Sequence, residues 1–228
     1  MRTKSFTVDA VRAAGLAGVL ATSVAASGAN ATAVLFNLGS PTGNLGTTET
    51  YTNAATGLSI IATGYNAKGK KTDLYGKNGG GDEVGLGLTT DTTGDHEIQF
   101  HEGFVQLDLS DLFGKVKSGS TFFATGSATE GEEWGVYGSN KAGTYNSSNL
   151  LSHGTVETSQ LFKDLGTYTY YDFVELNQTR GQGNNFLIAK ITTTTGVPEP
   201  ATWAMMLIGF AGVGAAVRMS RRSAAVTA

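Results

Sequence analysis

Period-two alternation of apolar and polar side chains, broken every few residues by glycine or polar turns, dominates residues 34–196. Val105, Leu107 and Leu109 alternate with Gln106 and Asp108, and Thr167-Tyr168-Thr169-Tyr170 alternates into Phe173 and Val174. Alternation of this kind places successive side chains on opposite faces of a strand. Phe186-Leu187-Ile188-Ala189 is apolar at every position, the pattern of a strand covered on both faces. Leu58–Ile61, Thr121–Phe123 and Trp134–Tyr137 read as further strands, and Ile191–Gly196 as a last strand running into a linker. Turns fall at Gly79-Gly80-Gly81, Thr92-Thr93-Gly94-Asp95, Gly138-Ser139-Asn140 and Gly181-Gln182-Gly183-Asn184. Two short helical turns are predicted, Ser110–Phe113 and Ser159–Leu165, the second with Ser159 as N-cap and Gly166 as stop. The expected fold is all-β, an antiparallel β-sandwich of jelly-roll type over residues 34–196.

The two ends follow different rules. Residues 1–33 read as a signal peptide, and its apolar run as a signal helix. Arg2, Lys4 and Arg12 are basic, Ala13–Ala26 is apolar, and Ser27–Ala33 is a small-residue exit. Ala31-Thr32-Ala33 fits the A-x-A cleavage rule, with Ala29-Asn30-Ala31 as a competing site. The apolar run is ~21 Å long as a helix, short of the ~30 Å hydrocarbon layer. At the other end stands Val197-Pro198-Glu199-Pro200, stiff and extended because each proline fixes its own φ and restrains the residue before it. Ala201–Val217 is then apolar apart from Thr202, with Trp203 where an interfacial aromatic belongs. As a helix it covers about 25 Å, a marginal single transmembrane span. Arg218, Arg221 and Arg222 follow, which places the tail, residues 223–228, in the cytoplasm.

The C-terminal segment resembles the PEP-CTERM sorting signal of Gram-negative bacteria, in the Pro-Glu-Pro-x-x-Trp-Ala variant common in alphaproteobacteria. The matching residues are Val197-Pro198-Glu199-Pro200, Trp203-Ala204-Met205-Met206, Gly209-Phe210 and the Arg cluster, over residues 197–222. The resemblance implies that a membrane-embedded exosortase, a Cys-dependent processing enzyme, recognises and cleaves the Pro-Glu-Pro region. The chain would be exported by the general secretion route and held transiently in the inner membrane. It would then pass to the cell surface or to exopolysaccharide. Here Pro198, Glu199 and Pro200 are substrate rather than catalyst. A pre-extended peptide loses little entropy on entering a protease-like cleft.

Composition narrows the chemistry of the body. The chain has no Cys, which removes disulfides and thiolate sites. Residues 34–196 carry ten Lys and Arg against seventeen Asp and Glu, the wrong sign for a nucleic-acid partner. The acidic stretch containing Asp82, Glu83, Asp91 and Asp95 offers hard oxygen ligands on glycine-rich turns, which suits a weak Ca²⁺ site. A solvated acidic edge that discourages edge-to-edge pairing is the favoured reading, and the Ca²⁺ site the alternative. No other cofactor is expected. His96-Glu97 and His101-Glu102 miss the zinc-protease pattern, because the histidines are five apart on a strand-like stretch. Gly64–Lys71 resembles a phosphate-binding loop but ends in Lys71 where Ser or Thr is needed. Gly85-Leu86-Gly87 and Gly181-Gln182-Gly183 lack the last glycine of a dinucleotide fingerprint, and no nucleophile elbow is present.

Trp134, Tyr137, Tyr145, Tyr168, Tyr170 and Tyr171 are either core or a sugar-stacking face, with Trp134 and Tyr137 the expected ligand-binding pair. The expected function is that of a non-enzymatic structural or adhesive surface protein. A carbohydrate-binding module is the alternative, and a glycan-directed hydrolase ranks third.

Overall fold

The computed structural model describes residues 31–128, 132–176, 184–196, 206–214 and 218. Fifteen strands follow in order: β1 (Ala33–Asn37), β2 (Gly43–Gly46), β3 (Thr48–Thr52), β4 (Ser59–Asn66), β5 (Lys71–Thr72), β6 (Leu74–Asn78), β7 (Val84–Leu88), β8 (Ile98–Gln99), β9 (Gly103–Asp108), β10 (Phe122–Gly126), β11 (Trp134–Ser139), β12 (Leu150–Gly154), β13 (Ser159–Leu161), β14 (Tyr170–Glu175) and β15 (Asn185–Thr194). They form two antiparallel sheets. One has eight strands in the order β13-β10-β15-β7-β6-β2, with β1 and β8 also paired to β15. The other has seven in the order β12-β11-β14-β9-β4-β3, with β5 on β4. The chain crosses repeatedly from one sheet to the other, so neither layer is built from a continuous stretch of sequence. The expected all-β sandwich is the observed fold.

The core lies between the layers and follows the alternation read from sequence. Val105, Leu107 and Leu109 face inward from β9 and its continuation, Ile60 and Ala62 from β4, and Tyr171 and Phe173 from β14. Aromatic rings fill the centre. Phe123 meets Trp134 and Phe173 edge-on at 5.4 and 5.3 Å, and Phe162 at 5.0 Å, geometries favoured by the ring quadrupole. Trp134 reaches this depth because β12 gives it room at Gly154, where a Cβ would drive into the indole. Its ring N–H donates to the Val156 carbonyl at 3.0 Å, so burial leaves no orphan donor.

Three sequence-based expectations need correction. Ser159–Leu165 is not a helical turn: Ser159–Leu161 is β13, paired with Phe122–Ala124. A short polar segment beside an open sheet edge gains more hydrogen bonds as a strand than as one isolated turn. Thr167–Thr169 precede rather than form β14, which starts at Tyr170. Phe186–Ala189 and Ile191–Thr194 belong to one ten-residue strand, β15. The turn at Ser110–Leu112 is present as a single 3-10 turn. The expected signal peptide and its helix lie, up to residue 30, outside the described residues. Residues 206–214 are helical, and among the described residues no helix is long and apolar enough to cross a membrane.

Candidate functional site

The last strand delivers the chain to its C-terminal segment. Lys117 N–H donates to the Thr194 carbonyl at 2.8 Å, and Val116 bridges to Thr195. Thr195 N–H donates to the Thr32 carbonyl at 2.9 Å, and Thr32 N–H donates to Thr195 Oγ1 at 2.8 Å. Gly196 N–H closes the series on the Lys115 carbonyl at 2.9 Å. The packed body therefore runs to Gly196, one residue before Val197. Because β1 pairs antiparallel with β15, with Ala33 opposite Thr194, both ends of the body leave from one pole. Ala31 is exposed at the start of this pole and Ala33 opens β1. Val197, Pro198, Glu199, Pro200, Trp203, Arg221 and Arg222 lie outside the described residues. Arg218 is helical and exposed, and Met206, Leu207, Ile208, Phe210 and Val213 present exposed apolar side chains on residues 206–214.

Within the body, two polar clusters stand out, one half-buried and one buried. Lys77 Nζ pairs with both Glu83 and Glu97. Ser127, held in the left-handed region at φ 56°, donates its hydroxyl to Glu83 at 2.8 Å and to Glu97 at 2.9 Å. Two carboxylates thus share one ammonium. The hydrogen bond from Lys77 holds the more exposed Glu83 below its ordinary pKa, while burial pushes Glu97 up to about 7. The second cluster sits on the outer face of the seven-stranded sheet. Asp172 Oδ1 accepts from Gln106 Nε2 at 2.7 Å, while the buried Oδ2 has no hydrogen-bond partner among the described residues. Burial pushes Asp172 up to about 7, against the pull of Gln106. The loop after β11 covers this pair: Gly143 N–H donates to Gln106 Oε1 at 3.2 Å, and Gln106 Nε2 to the Lys141 carbonyl at 3.3 Å. Sequence reasoning missed Asp172. Its only signal was an acid inside the apolar run Tyr170–Glu175.

The expected aromatic face divides. Trp134 is fully buried between the sheets, so it is no exposed platform. Tyr137 is buried too, but on the opposite side of the same strand, against Tyr145 at 5.3 Å. Residues three apart on a strand point to opposite faces, so this pair could not form one surface. Tyr171 joins the core, whereas Tyr145 packs with Phe104 outside it, at 5.5 Å. The acidic stretch also disperses. Asp82 lines a groove on the eight-stranded sheet, and Glu83 is held by Lys77 and Ser127. Asp91 accepts from the His96 N–H at 2.8 Å and from Thr93 Oγ1 at 2.9 Å, and Asp95 lines a separate pocket beside Tyr75 and His96. Among the described residues no group of three or more His, Asp or Glu side chains is placed to hold a metal ion. Gly64–Lys71 is the β4–β5 hairpin rather than a phosphate loop.

No curated protein and no solved structure matches the chain. Residues 196–222 match the family model for the PEP-CTERM protein-sorting motif, which implies export, membrane-associated sorting and processing by exosortase. The chain is thus a β-sandwich body, tied in by hydrogen bonds as far as Gly196, followed by a segment that matches the PEP-CTERM protein-sorting motif over residues 196–222.

Proposed function

We propose that this is a non-enzymatic structural or adhesive protein of the Gram-negative cell surface or extracellular polymer, delivered there through its C-terminal motif. The observation that carries the reading is the motif match over residues 196–222, starting at the last residue tied into the body. The body ends on backbone hydrogen bonds to Lys115 and Thr32, so the Pro-Glu-Pro region follows it without an intervening domain. Attachment to the anchor holds this substrate in the membrane of its processing enzyme, which raises its effective concentration there.

The test is export of the full chain with Pro198→Ala and Pro200→Ala, followed by intact mass and surface fractionation. The expected result is an unprocessed, membrane-retained chain. Normal processing and delivery of the variant would refute the reading.

A further inference from the structure

The outer face of the eight-stranded sheet carries two parallel rows of unlike chemistry. The register places Leu35 opposite Thr192, Thr192 opposite Phe122, and Phe122 opposite Leu161. Residues directly opposite on antiparallel neighbours share a face, so these four form one row across β1, β15, β10 and β13. Its large members are exposed: Leu35 by 52%, Phe122 by 38% and Leu161 by 37%. Two residues along each strand lies a second row, Asn37, Lys190, Ala124 and Ser159. That row lines a groove of about 470 Å³, whose far side includes Asp82 and Glu157. The rows stand about 7 Å apart, so a chain one sugar ring wide can touch both.

We propose that this face binds a neutral polysaccharide chain laid across β1, β15, β10 and β13. Sugar C–H faces rest on Phe122 and the two leucines, and hydroxyls reach Asn37, Lys190 and the groove carboxylates. Other occupants fit less well. The three exposed side chains leave on the order of 250 Å² of apolar surface, against the ~800 Å² each partner buries in a stable dimer. An added peptide strand pairs in the plane of the sheet, at β1 or β13, each paired to a single strand, and so leaves the face itself uncovered. Asp82 and Glu157 outnumber Lys190 in the groove, and the body is acidic, so an anionic polymer or lipid surface is repelled. The proposal deepens the adhesive reading above and rests on it.

The experiment is native electrophoresis of the full chain in neutral detergent micelles, through gels containing dextran, laminarin or galactomannan, with alginate as the acidic comparison. At least one neutral polymer is expected to retard the chain. Phe122→Ala is expected to weaken that retardation about tenfold, with near-UV circular dichroism unchanged. Should that variant lose its fold, the Asn37→Ala/Lys190→Ala double variant decides, again by loss of retardation. No retardation by any neutral polymer overturns the proposal, as does retardation by alginate alone, or binding indifferent to the variants. A dimer in light scattering that Phe122→Ala dissociates also overturns it. The Pro198→Ala/Pro200→Ala chain keeps its retardation, and the Phe122→Ala chain keeps its processing, so failure of sorting and failure of binding are separable.

Discussion

Replacing Asp172 with Asn tests whether the outer face of the seven-stranded sheet holds a protonated carboxyl. Asp172 is fully buried, with one oxygen on Gln106 and the other without a hydrogen-bond partner among the described residues. Its pKa is pushed from 3.8 up to about 7, chiefly by burial. The folded state therefore keeps this proton over a window in which the unfolded chain has lost it. Between about pH 4 and pH 7 the unfolded state binds fewer protons than the native state, so wild-type stability falls as pH rises, then levels off. At 1.36 kcal/mol per pKa unit the total is about 4 kcal/mol. Asn does not titrate, but it puts an amide N–H₂ where Oδ2 has no partner, which costs about 1–3 kcal/mol. The variant is expected to be less stable than wild type near pH 4.5 and more stable, by about 1–3 kcal/mol, near pH 8. Urea unfolding of both full-length chains across this range provides the measurement. Glu97 also rises to about 7, but it is common to both chains and cancels in the difference. A stability difference independent of pH would refute the argument, because it would mean that Asp172 is ionised in the fold or in contact with water.

Phe123→Ala removes the ring that meets Trp134, Phe162 and Phe173. It is expected to cost about 3–5 kcal/mol and to lower the thermal midpoint by about 10 °C, read by circular dichroism. Lys77→Met leaves Glu83 and Glu97 without their shared ammonium. Lys77 is partly exposed, so the expected loss is about 2 kcal/mol rather than that of a fully buried pair, measured by urea unfolding at neutral pH. Intact mass of the exported protein is expected to give Thr32 as its first residue, not Val34. Cleavage after Ala33 would discard the two hydrogen bonds between Thr32 and Thr195 and the pairing of Ala33 with Thr194.

The strands were legible because alternation and turn chemistry are local. Gln106 and Asp108 stand between inward-facing Val105, Leu107 and Leu109, and the sandwich buries that inward set as expected. The errors fall where a neighbouring strand decides. Ser159–Leu161 has no strong alternation of its own and becomes β13 because β10 offers an edge. Trp134 and Tyr137 are both aromatic, but which face each occupies depends on strand parity and on the space at Gly154. Asp172 and Gln106 are 66 positions apart and meet only through the β9–β14 pairing, so nothing local announces a protonated carboxyl there. The sorting motif, by contrast, is a linear signal read by another protein, and for that reason its presence was legible in the sequence.

The order of strands ties completion of this fold to the motif that follows it. β15 is the last strand of the body, yet it lies inside the eight-stranded sheet, with β10 on one edge and β1 and β7 on the other. A chain that crosses a membrane N-terminus first brings β1, β7, β8 and β10 out before the strand that joins them. Until residues 185–194 arrive, those strands present unpaired backbone groups, the condition most prone to wrong pairing. The sheet closes only when Gly196 has emerged, and the sorting motif starts at that residue. Cleavage within the Pro-Glu-Pro region can then take place without removing a ladder residue, since β15 ends at Thr194. A long, doubly paired final strand and a motif placed immediately after it let the sheet close before the chain is processed.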